Sequence, residues 1–163
     1  MKLIFMTGLL FSLCASSFAK DNEDILASNV ILKQKLNLVK SGIRSKRGND
    51  IWGWTDPTTN KEYAIMGMDN KTSFVDVSNP ANPVHLADLK THTSSSIWRD
   101  MKVYKNHAYI VSEAKRHGMQ IFDLTRLRVM DGKKVIKVKA DAHYRKFGSA
   151  HNIAINEDSG YAY

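Results

Sequence analysis

Four side chains in this sequence have the chemistry of a metal or acid–base site: Asp100, Glu113, His117 and His151. Arg99 and Asn152 are direct sequence neighbours of two of them. Carboxylate oxygens and imidazole nitrogens together suit a divalent cation such as calcium, manganese or zinc. The same groups can act as general acid and general base in a hydrolase or lyase. A third reading is structural, because Asp and Asn at strand starts cap backbone amides. The sequence holds no nucleophile elbow, phosphate-binding glycine loop, HExxH or calcium-binding loop. Its one cysteine is Cys14, inside the N-terminal segment discussed below. Cysteine chemistry is therefore excluded from the rest of the chain.

The elements that must position these groups are strands. From Asp50 onward, short β-rich runs alternate with turn residues and helical period is missing. The runs repeat. DIWGW (Asp50 to Trp54) aligns with RDMKVY (Arg99 to Tyr104), placing Asp50 opposite Asp100. EYAIMG from Glu62 aligns with HAYIVS from His107, and TSFVDVSNP from Thr72 aligns with MQIFDLTRL from Met119. HNIAIN, from His151, starts a third copy with Asn152 opposite Asp100, and GYAY follows. Strands are expected near 50–54, 62–68, 72–78 and 84–89, then near 100–104, 107–113, 119–125 and 133–139. Four strands in a repeat of 40 to 50 residues is the size of a propeller blade. The expected fold is thus all-β, a partial β-propeller with blades at 50–89 and 100–139 and a partial blade at 151–163.

Turn chemistry supports the boundaries. Two prolines and two asparagines in Ser78 to Pro83 stop one strand and reverse the chain. Lys105-Asn106 and Asp158-Ser159-Gly160 read as tight hairpin turns, and Asp76 and Asp123 as turn caps.

Antiparallel geometry puts the start of one strand beside the end of the next. Asp100, Glu113, His117 and His151, with Arg99, are therefore expected on one rim. Recurrence of Asp50, Asp100 and Asn152 in every copy favours capping for those three. Glu113, His117 and His151 do not recur in the first copy and are the better ligand candidates. Trp98 lies in the incoming loop, where an indole could stack on a sugar or peptide. His92, His107 and His143 read as lone histidines without a role.

GNDIWGWTDPTTNKEYAIMGMDNKTSFVDVSNPANPV resembles the start of the bacterial choice-of-anchor B proteins. WRDMKVYKNHAYIVSEAKRHGMQIFDLTRLR and SAHNIAINEDSGYAY resemble the stretches that follow in that family, whose repeats are of the LVIVD type. The resemblance covers about Asn49 to Tyr163. It implies an exported propeller, displayed on or released from the cell surface, with a C-terminal sorting anchor that varies between members. It carries over no catalytic activity.

The ends of the chain complete the expectation. Lys2, an apolar run from Leu3 to Ala15 and the small-x-small site Ser17-Phe18-Ala19 read as a secretory signal peptide over 1–19, too short for a membrane span. The remaining 144 residues hold no thiol and no second apolar segment that could cross a bilayer. Without disulfides, an exported protein depends on its core or a ligand. Residues 20–49 read as a lead-in and linker, with 37–43 a possible strand closing a last blade. The sequence stops inside the third copy, so the chain is expected to be the front part of a longer propeller. The net charge of +8 lies in short clusters interrupted by acids, with no nucleic-acid-binding motif. The partners expected are protein or polysaccharide at the cell surface, and not nucleic acid.

Overall fold

The computed structural model describes residues 30–163. The expected signal peptide and the first part of the lead-in lie outside the described residues. What is described is all-β. Strands β1 (Gly48–Thr55), β2 (Glu62–Met68), β3 (Lys71–Asp76) and β4 (Val84–Lys90) form an antiparallel meander. β5 (Arg99–Tyr104), β6 (His107–Ser112) and β7 (Met119–Asp123) form a second. After a 3-10 helix over Leu124–Val129 come β8 (Ile136–Val138), β9 (Ala142–Tyr144) and the two-stranded pair β10 (Ile155–Asn156) and β11 (Tyr161–Ala162). Among the described residues no sheet closes on itself.

The strands end where the sequence supplies turn chemistry. Lys105 and Asn106 take left-handed backbone, φ 44 and 61, which matches the twist of a two-residue hairpin between β5 and β6. The carboxylates of Asp76 and Asp123 accept the amides of Ser78 and Thr125, each two residues on, at 3.0 and 2.9 Å. Asp56 does the same for Thr58 and also receives two guanidinium hydrogen bonds from Arg128, 2.7 Å each. That fork ties the β1–β2 hairpin to the 3-10 helix, seventy-two residues away.

Two expectations fail. The run at 133–139 does yield a strand, β8, but it pairs parallel with β4 as a fifth strand of the first sheet. The fourth strand of the second sheet is β9, antiparallel to β7. Lys-Lys-Val-Ile-Lys-Val alternates well enough to join either edge, so burial decides. There Val138 closes the cluster around Leu86 and Leu89. Nor is 37–43 a strand: it runs through turns and bends. The reason is Lys71, whose fully buried ammonium needs acceptors. It donates to the carbonyls of Leu38 and Ser41 at 2.9 and 2.8 Å and to Asp88 at 3.1 Å. A ladder strand would have committed those carbonyls to a neighbour.

One apolar cluster joins the two larger sheets, with Ile65, Phe74, Met101, Ile110, Phe122 and Leu124 inaccessible to solvent. Phe74 and Phe122 stack across it, centroids 4.6 Å apart. At 25 cal/mol per Å2, burying each such side chain stabilises by about 2 kcal/mol. Gly67 marks where β2 meets β5. A side chain there would collide with Met101 and the Arg99 carbonyl. Among the described residues, no helix is long and apolar enough to cross a membrane.

Candidate functional site

The start of β5 sorts the expected residues onto two faces, because successive side chains of a strand point opposite ways. Arg99 goes inward. It is fully buried, and its Nε donates to the Met68 carbonyl at 3.0 Å, Nη2 to Thr91 Oγ1 at 2.7 Å and Nη1 to His117 Nε2 at 3.1 Å. His117 is equally buried, and its Nδ1 donates to the Gly118 carbonyl at 3.0 Å. One nitrogen accepting and one donating is the neutral imidazole. Burial, reinforced by the Arg99 charge, pushes its pKa down to about 4. Arg99 and His117 are thus partners of each other and not members of the rim constellation.

Asp100 faces the other way. Its Oδ1 accepts the Met101 amide and Lys102 Nζ, both at 2.7 Å. Its Oδ2 accepts the Ile153 amide at 2.8 Å and Asn152 Nδ2 at 3.4 Å. β5 is thereby stitched to the segment at 152–153. Asp50, aligned with it in the sequence, lies on β1 and lines the same pocket. The two titrate apart. Burial and the Asp100 carboxylate push the Asp50 pKa up. Burial opposes charge on Asp100 as well, but Asp50 and the bonds from Lys102 and Ile153 outweigh it and hold Asp100 at about 2. Asp100 is thus the stronger acid of the two. Asn49 fixes the approach of β1 by donating to the Arg99 carbonyl at 2.9 Å.

Glu113 and His151 meet at the mouth. His151 Nδ1 and Glu113 Oε1 lie 2.6 Å apart, with both side chains about half exposed. The His151 ring is 5.4 Å from that of Trp98, which is 43% exposed. Trp98 is held by its backbone. Its carbonyl accepts Ser112 Oγ at 2.9 Å and the Glu113 amide at 3.3 Å. Asn49, Asp50, Trp98, Asp100, His151 and Asn152 enclose a pocket of about 210 Å3. It offers carboxylates, amides and an imidazole beside one aromatic ring.

Of the expected set, Asp100, Glu113, His151 and Asn152 therefore share one neighbourhood, while Arg99 and His117 do not. The divalent-metal set of Asp100, Glu113, His117 and His151 does not assemble. Among the described residues, no three His, Cys, Asp or Glu side chains converge as metal ligands. Asp100 has spent its lone pairs on amides and an ammonium, and His117 lies behind β5. Strand parity alone separates Arg99 from Asp100, and that signal was present in the sequence. Asn49 and Asp50 join the site from β1, and the repeat alignment of Asp50 with Asp100 was the clue to it. His92 and His143, which read as isolated, stack with ring centroids 3.6 Å apart. Nothing in their spacing announces it. No protein-family model matches the chain, and no curated protein or solved structure is similar to it.

Proposed function

We propose that this chain belongs to an exported β-propeller protein of the choice-of-anchor B type, with LVIVD repeats, acting as a non-enzymatic scaffold that binds polysaccharide. The propeller reading is supported by two consecutive antiparallel meanders of matching strand order and by the repeat contacts of Asp50, Asp100 and Asn152. Export rests on the N-terminal sequence, and cell-surface display rests on the family resemblance.

The observation that carries the binding reading is the half-exposed Trp98 indole beside the Asp50–Asp100 pocket. A sugar ring presents an apolar C–H face and a girdle of hydroxyls. An indole takes the face, and carboxylates and amides take the hydroxyls. Loops on a rigid repeat array suit such recognition. The test is a glycan-array screen of the whole chain, followed by titration of any hit against Trp98→Ala. Loss of binding at unchanged melting temperature supports the reading. Full binding by the variant, or no hit on the array, overturns it.

One observation favours a second reading, an exported hydrolase or lyase. Asp50, its pKa pushed up by burial and by Asp100, beside an Asp100 held at about 2 is an acid–base pair in form. Asp100 is saturated with hydrogen bonds, however, which suits holding better than proton transfer. Cleavage of a bound glycan, abolished in Asp50→Asn, would establish this second reading over the first.

A further inference from the structure

A second pocket lies at the same end of the second sheet, with none of the Trp98 pocket's residues in its lining. His92, Arg116, His143, Arg145, Lys146 and Phe147 enclose about 390 Å3. These residues come from the β4–β5 connection, the β6–β7 connection and the end of β9 with the segment after it. The lining holds no acidic residue. Among the described residues, Arg116, Arg145 and Lys146 form no ion pair, unlike Lys61, Lys71, Lys102, Arg126, Arg128 and Lys133. Three like charges around one depression repel one another. The arrangement is relieved by a counter-anion.

The layer beneath adds to the same field. Arg99 is wholly buried and every acceptor it meets is neutral: a carbonyl, a hydroxyl and an imidazole. His117, which takes one of those bonds, contacts the His92 ring edge-on at 6.4 Å. His143 Nε2 donates to the His117 carbonyl at 2.7 Å, which fixes that ring against His92. Burial and then the nearby His143 and Arg145 charges push the His92 pKa down, as a positive local potential does. Gly118 makes the geometry feasible. At φ 63 it brings the β6–β7 connection against the Tyr144 carbonyl, where a side chain would collide, and its amide donates to Gly148 at 3.1 Å.

We propose that this pocket is an oxoanion-binding site for a phosphate or sulfate monoester, held by Arg116, Arg145 and Lys146 with Phe147 alongside the group that carries the ester. Guanidinium forks match a tetrahedral oxoanion in bidentate fashion, and more than one cation matches more than one negative charge. A monocarboxylate would leave most of the field unneutralised. The assignment does not depend on the carbohydrate reading above.

The experiment is calorimetric titration of the whole chain with inorganic phosphate, sulfate and acetate at low ionic strength. Phosphate and sulfate should bind, with acetate about tenfold weaker. Arg116→Gln combined with Arg145→Gln should weaken phosphate about tenfold, and Lys146→Gln less. Lys133→Gln, on an exposed lysine paired with Asp131 in another loop, should change nothing. Two further arms separate the sources of the ester: glucose 6-phosphate for a soluble one, and phosphatidylcholine vesicles with and without phosphatidic acid for a lipid headgroup. Binding in either arm that the double variant loses supports the site. Absence of phosphate binding, or an equal loss in Lys133→Gln, overturns it.

Discussion

Two carboxylate clusters of similar composition sit at different depths, and they do different work. Asp88 lies on β4 with Lys71, His85 and Ser73, all buried. Its oxygens accept from Lys71, His85 Nε2 at 2.8 Å, Ser73 at 2.7 Å and the Ile43 amide at 2.5 Å. Asp50 and Asp100 lie at a pocket mouth, with exposed Trp98 and His151 as neighbours. The first cluster is closed: every group faces another protein group, and its product is a tethered lead-in segment. The second is half closed. Asp100 is saturated, while Asp50 lines open volume. Residue type does not separate structural from functional polar groups here. The number of hydrogen-bonding positions left over does.

The sharpest way to break this contrast is Asp88→Ala. It strands a buried ammonium with only two carbonyls, and a loss of about 3–5 kcal/mol is expected by urea denaturation. A loss under about 1 kcal/mol would mean the cluster is not the closed network described here.

Next comes His117, the deepest of the candidates. Its folded pKa is lowered to about 4, first by burial. The unfolded chain therefore takes up a proton below about pH 6.5 that the folded chain refuses. Stability present above that pH is lost as pH falls toward 4, by on the order of 3 kcal/mol. Denaturation midpoints at pH 7 and pH 5 should diverge in the natural chain. They should diverge less in His117→Gln, and an unchanged slope would refute the assignment.

The smallest effects lie within the pocket pair and sharpen it. Asp100→Ala leaves the buried Ile153 amide without its acceptor, and about 1–3 kcal/mol should be lost. Asp50→Asn keeps the size of the side chain and removes a carboxyl from beside Asp100, so stability should stay within about 0.5 kcal/mol while glycan affinity falls. If Asp50→Asn destabilises as much as Asp100→Ala, the two carboxyls are one structural unit and not a pocket wall.

Much of the strand pattern is legible in the sequence. Strands expected near 62–68, 84–89, 100–104 and 107–113 differ from the observed ones by one residue or less at each end. Strand runs and turn residues are local features, and local features suffice to mark them. Asp100, Asn152, His151 and Glu113 share one neighbourhood, in keeping with a repeat alignment that puts strand starts and ends on one rim. Arg99 and His117 turn inward from that rim, because a repeat alignment fixes position along a strand and not which way each side chain points.

The order of residues thus decided the alternation and the hairpin turns, since both follow from backbone preferences within a few residues. Tertiary structure alone decided that Ile136–Val138 joins the first sheet, that 37–43 bends to solvate Lys71, and that His92 stacks on His143 beside three unpaired cations. Each depends on a burial or desolvation cost set by residues far away in the chain. Such a cost has no trace in the local pattern.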